Sequence, residues 1–188
     1  MRRPSRIALV ALVLALWPVA AAAQTAAESA YGVGVVTTLA GTATVARASL
    51  PSPQPLRFRD DVFLRDRIST AEKSTVRVLL GGKALVTVRE LSVLTVTEES
   101  GRVTVDLQSS KIGVAVVKSR MRPGEVIEIR SPNATAAVRG TVFVVEVDPV
   151  PAAPGASGSV AATTRVHLFH GALDVSARLA AAQPTVRL

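Results

Sequence analysis

Apolar and polar residues alternate with a period of two along most of the chain, which places the apolar set on one face of extended strands. The pattern is clearest from Ser74 onward. Val76, Val78 and Leu80 share a face, Gly81-Gly82 turns the chain with both central residues at positive φ, and Ala84, Val86 and Val88 share a face on the return. Leu91 to Thr97 predicts a further strand and Glu98 to Gly101 a turn. Arg102 to Gln108 then alternates with Val103, Val105 and Leu107 inward. In Lys111 to Val117 the inward set is Ile112, Val114 and Val116, with Gly113 and Ala115 on the other side where a neighbour packs close. Pro123-Gly124 predicts a type II turn, followed by a strand over Glu125 to Arg130 with Ile127 and Ile129 inward.

The longest β-rich run is Asn133 to Val147, NATAAVRGTVFVVEV, whose β-branched and aromatic residues suit a pleated, buried surface. It predicts one strand in which Arg139-Gly140-Thr141 forms a bulge or a close backbone approach. Earlier, Tyr31 to Leu39 and Thr42 to Ala48 read as strands flanking Gly41, and Pro51, Pro53 and Pro55 mark a loop. Later, Asp148 to Ala162 has loop composition, Thr164 to Phe169 and Ala172 to Ser176 are strands joined by a turn at His170-Gly171, and Ala177 to Ala182 predicts a short helical tail ended by Pro184. Roughly ten to twelve short runs at such spacing make an all-β, single-domain fold, with a β-solenoid or roll and a two-sheet sandwich both open.

The first residues break this pattern. Arg2, Arg3 and Arg6 precede an apolar segment from Ile7 to Trp17, and Ala21 to Ala23 supply a small-residue cleavage site, the plan of a secretory signal peptide. The expected organisation is a signal peptide over 1–23, a lead-in over 24–32, a β domain over 33–176 containing the Pro/Ala/Gly loop 148–162, and a tail over 177–188. The implied location is the periplasm or the exterior, with no membrane span left after cleavage.

Composition removes several chemistries. Without cysteine there are no disulfides, thiol nucleophiles or Cys-ligated zinc sites. The net charge is +8, of which the three arginines of the leader carry three, so the remainder is basic and suits anionic partners. Nucleic acid is not expected, because few aromatics are present and export removes the opportunity. Lys111, Lys118, Arg120 and Arg122 form the one basic run without an acid, read either as a patch for an anionic partner or as a solvated loop that discourages edge pairing. Asp60, Asp61 and Asp66 read as a cation or acid/base cluster or, preferred because bases adjoin them, as part of a solvated turn region with salt bridges. His167 and His170 lack a third ligand in reach, and His167 falls on the water-facing phase with Arg165. Asn133-Ala134-Thr135 matches a glycosylation sequon. No nucleophile arrangement or phosphate loop is present, so neither enzyme activity nor a cofactor is expected.

The order GVVTTLAGTATVAR, PLRFRDDVFLRDRIST, STVRVLLGGKALVTVRELSVLTV, IRSPNATAAVRGTVFVVEV and TTRVHLFHGALDVS resembles the FecR-type periplasmic domain from about Val33 to Ser176. The resemblance is most specific at Arg67-Ile68-Ser69-Thr70, at Ala137-Val138-Arg139-Gly140-Thr141 and at the turn containing Gly171. It implies an all-β, non-catalytic module in which Arg67, Thr70, Arg139, Gly140, Thr141 and Gly171 are structural motif residues, Gly140 allowing backbone approach and Arg139 pairing an acid or capping carbonyls. The best-known members relay a signal from an outer-membrane transporter to a sigma factor through a cytoplasmic segment. Here an export signal stands in that place, so the expectation is a stand-alone interaction module that binds an envelope protein through an exposed strand edge. Two other readings stay open, a binder of anionic lipid, glycan or peptidoglycan and a structural assembly subunit. The oligomeric state is not specified by the sequence.

Overall fold

The computed structural model describes residues 32–99, 101–149, 162–178 and 186–187, all within one unit, Tyr31–Leu188. The expected leader, most of the lead-in, most of the Pro/Ala/Gly loop and most of the tail lie outside the described residues. No α-helix occurs among the described residues, only a 3-10 turn at Lys118–Arg120.

The strands in chain order are β1 (Gly34–Ala40), β2 (Ala43–Ala46), β3 (Gln54–Pro55), β4 (Asp61–Val62), β5 (Arg67–Thr70), β6 (Thr75–Leu80), β7 (Ala84–Val88) and β8 (Val93–Glu99). They continue with β9 (Arg102–Val116), β10 (Val126–Arg130), β11 (Ala134–Val138), β12 (Val142–Pro149), β13 (Ala162–His170), β14 (Leu173–Ala177) and β15 (Val186–Arg187). All fifteen belong to one connected sheet. It is curled into two wings that share β9. The first wing runs β4-β1-β6-β7-β9-β12-β13, and the second runs β3-β2-β5-β8-β9-β10-β11-β14-β15. Every pairing is antiparallel except β9 with β10. The all-β expectation is met, in one curled sheet.

The spine of this sheet is β9, 15 residues long, which the sequence pattern divides into two strands. Its first half pairs β8 and β10, and its second half pairs β7 and β12. The bend falls at Ser109-Ser110, where the β8 register shifts and Ser110 takes φ 68°. Chain length demands such a bend. Val126 pairs Arg102, yet only ten Cα steps separate it from Val116, a reach of at most about 36 Å. A straight strand from Arg102 to Val116 would span about 47 Å.

The run Asn133 to Val147 also differs from expectation. It is two strands rather than one bulged strand: β11 lies in the second wing and β12 in the first, and Arg139-Gly140-Thr141 is the crossing between them. The predicted helical tail fails at its first residue, since Ala177 ends β14 opposite Ala134, and the rest of that segment is outside the described residues.

The inward phases are those the periodicity assigns. Val76, Val78, Leu80, Ala84, Val86 and Val88 from one wing, and Val103, Val105, Leu107, Ile127 and Ile129 from the other, join a single buried cluster. Phe143, the one aromatic residue of that cluster, is fully buried within it. The turn region that holds Asp60, Asp61 and Asp66 is solvated only in part, because Leu56, Val62, Asp66 and Ile68 are buried there.

Candidate functional site

The motif residues fall into two groups. On β5, Thr70 is buried and its hydroxyl donates to the Arg89 carbonyl at 2.6 Å while accepting the Ser92 amide at 3.0 Å, whereas Arg67 is exposed. At the crossing between wings, Gly140, Thr141 and Gly171 meet. Gly140 has φ 81°, and a Cβ there would stand 2.4 Å from Lys118 Cβ. A Cβ on Gly171 would stand 2.8 Å from the Gly140 carbonyl oxygen. Buried Thr141 donates its hydroxyl to the Ala172 carbonyl at 2.7 Å. Two chain reversals are thereby stacked at a separation that only glycine allows. Arg139 differs from expectation: it is exposed and makes no ion pair or hydrogen bond among the described residues.

The other candidates are structural in their surroundings. Asp66, with 0% exposure, accepts Nε and Nη2 of Arg47 at 2.7 Å each and the Phe63 amide at 2.8 Å, and Arg47 also stacks on the Phe63 ring. The hydrogen bond to Asp66 raises the Arg47 pKa. Asp60 accepts the Arg57 amide as a turn cap, and all three aspartates lie close enough to Arg47 to raise its pKa. Among the described residues, no group of three or more His, Asp or Glu could hold a metal ion. Asn133 of the sequon has its amide engaged by the Ala162 carbonyl and by Thr164. A cleft of about 320 Å³ on the second wing is lined in part by Asp106, Arg130 and Arg178, but Glu128 takes Arg130, and Arg178 donates to the Ser131 carbonyl.

The basic run is split by the fold. Lys111 lies beside the bend of β9 and pairs with Glu146 at 2.9 Å, away from Lys118, Arg120 and Arg122 beyond the far end of the strand. Those three stay together. Arg120 donates to the Gly82 carbonyl, and Glu125, which accepts the Arg122 amide, is already paired with Lys83. The Lys83 bond and the Arg122 amide hold the Glu125 carboxyl below its ordinary pKa.

The outer face of the first wing is zoned in cross-strand rows. Val35, Leu79, Leu85, Ala115 and Val142 are successive register partners and make an apolar row. With Phe169 it crosses six strands, about 24 Å. The next row is Arg77, Thr87, Gly113, Val144 and His167, and the one beyond contains Lys111, Glu146 and Arg165. Gly113, Ala115 and Thr87 leave a shallow groove of about 180 Å³ walled by Leu85, Val142, Val144 and Phe169. Phe169 keeps the outward phase of Arg165 and His167 and is 70% exposed, and because Val142 faces His170 while Phe143 faces Leu168, the bulge leaves it without a register partner. Sequence reasoning passed over this residue. Its signal is the doublet Leu168-Phe169, which breaks the alternation of the strand.

One edge of the first wing is long and open. Strand β13 has nine residues and pairs only β12, and among the described residues no strand covers its other side. The remaining sheet edges, β3, β4 and β15, are two residues each.

A family model, described as FecR protein, matches residues 66–174. The chain belongs to the FecR family. That match spans more than half of the sequence, from the buried aspartate that holds Arg47 to the middle of β14, and contains all six motif residues. Strands β1 to β4 fall outside it. They extend the two wings of the FecR region, β1 and β4 beyond β6 and β2 and β3 beyond β5. The FecR family is a regulatory, envelope-associated one. No helix among the described residues is long and apolar enough to cross a membrane. No curated protein matches the chain.

Proposed function

We propose that this FecR-family chain is a non-catalytic, exported interaction module that works in envelope sensing or signalling by binding a protein partner along the β13 edge. The observation that carries this reading is a nine-residue strand that, among the described residues, is bonded on one side only, in a sheet whose other edge strands there are two residues long. An edge strand presents a row of unpaired backbone donors and acceptors, which an extended peptide satisfies and most small ligands do not. Arg165 and His167, exposed on β13, add side-chain selectivity, and the Phe169 bulge ends the template.

Consecutive residues of an edge strand direct their N–H groups to opposite sides. Of Val166→Pro and His167→Pro, one therefore removes a ladder bond to β12 and lowers the melting point, while the other removes an outward N–H and leaves the fold intact. In capture from envelope extract, the fold-neutral proline is expected to lose the partner that the parent retains. Retention of that partner refutes edge docking, and a parent that captures nothing refutes the interaction module itself.

A further inference from the structure

At one corner of the first wing, three apolar side chains stand clear of the sheet. Val117 is 47% exposed, Val142 42% and Phe169 70%. They share one surface. Val142 is the register partner of Ala115 and walls the same groove as Phe169, and Val117 keeps the outward phase of Ala115 because its backbone stays extended, φ −92° and ψ 100°. A cluster of apolar side chains in water marks a surface that is covered in function.

Four cations surround this tip. Lys118 follows Val117 and abuts Gly140, which places Arg139 next to it. Arg120 and Arg122 complete the 3-10 turn and its exit, beside the Gly81-Gly82 hairpin that accepts the Arg120 guanidinium. All four are exposed, and none has a carboxylate ion pair among the described residues. Glu125, which accepts the Arg122 amide, is ion-paired with Lys83.

The geometry points to this corner as a docking surface for an anionic phospholipid bilayer. Phe169, Val142 and Val117 enter the boundary between headgroups and acyl chains, while Lys118, Arg120, Arg122 and Arg139 take the lipid phosphates. A folded acidic partner needs cations in fixed positions, but only Arg120 is oriented here by a side-chain hydrogen bond. Flexible cations around a protruding apolar tip suit a fluid surface that supplies anions at any position. The inference does not depend on the β13 edge: the cations and Val117 lie off that strand.

The test is sedimentation of the full chain with vesicles of phosphatidylcholine alone and of phosphatidylcholine with one part in three phosphatidylglycerol. Binding is expected to be stronger to the anionic vesicles and to fall as salt shortens the electrostatic range. Lys118→Gln and Arg139→Gln each reduce the partition coefficient about fivefold, and Phe169→Ser reduces it about tenfold. These positions are exposed, so the far-ultraviolet spectrum and melting point stay those of the parent. The apolar N-terminal segment is common to parent and variants, so ratios between them report the corner alone. Equal binding to neutral vesicles, or variants that bind like the parent, overturns the inference. Binding to soluble polyglutamate in place of vesicles overturns it as well and assigns the corner to an acidic polypeptide.

Discussion

Replacing Gly140 with alanine tests whether the crossing between wings depends on close approach or only on backbone conformation. Gly140 and Gly124 share φ 81°, so alanine meets the same left-handed penalty at both, about 1–2 kcal/mol. They differ in space. A Cβ at Gly124 meets nothing within 4 Å, whereas at Gly140 it meets Lys118 Cβ at 2.4 Å and Lys118 Cγ at 3.1 Å. Because Cβ is fixed to the backbone, rotating the lysine side chain cannot clear it, and the turn after β9 must shift. Overpacking of that kind costs about 1–3 kcal/mol more. Gly140→Ala is therefore expected to lose about 2–5 kcal/mol and Gly124→Ala only the conformational part. Urea unfolding with a constant m-value measures both losses. Lys118→Gly, which deletes the opposing Cβ, recovers the packing part in a double-mutant cycle. Equal losses at Gly140 and Gly124, or no coupling to position 118, refute the reasoning.

Asp66→Asn leaves Arg47 without its buried counter-charge and is expected to cost about 3 kcal/mol in the same urea assay, because breaking a buried pair costs more than the pair itself contributes. Glu125 titrates below the ordinary carboxylate range when folded. Its stabilisation is thus present above the unfolded pKa and lost as pH falls through the lower folded value. A plot of urea midpoint against pH should show an acid limb in the parent that is smaller in Glu125→Gln, and identical limbs contradict the Lys83 pairing. Ser110→Val puts a β-branched residue at φ 68° and removes the hydroxyl that donates to the Glu90 carbonyl at 2.6 Å. A loss of about 2 kcal/mol is expected by thermal melting, whereas an unchanged melt means that the bend of β9 lies elsewhere.

Of the candidate site, the sequence showed the parts but not their company. Lys118, Arg120 and Arg122 are local in sequence and stay together, while Lys111 is separated from them by the length of half a strand. Arg139 joins them from a distant segment because Gly140 packs on Lys118. Asp66 looked like a solvated acid among bases, and its burial depends on Arg47 being delivered from beyond β2. The open edge of β13 has no local signature at all, since it is defined by the absence of a neighbouring strand among the described residues.

The sequence by itself determined that the protein is all β and which face of each strand is buried, because side-chain alternation is a property of the extended backbone that needs no partner. It also determined tight reversals at Gly81-Gly82 and Pro123-Gly124, where glycines at positive φ sit as the turn types require. Only the tertiary structure decided that Arg102 to Val116 is one bent strand and that Asn133 to Val147 is two. A kink within a strand and a turn between strands look alike over a few residues. What separates them is the partner each half selects, and that choice rests on pairings dozens of residues apart among strands of nearly interchangeable composition.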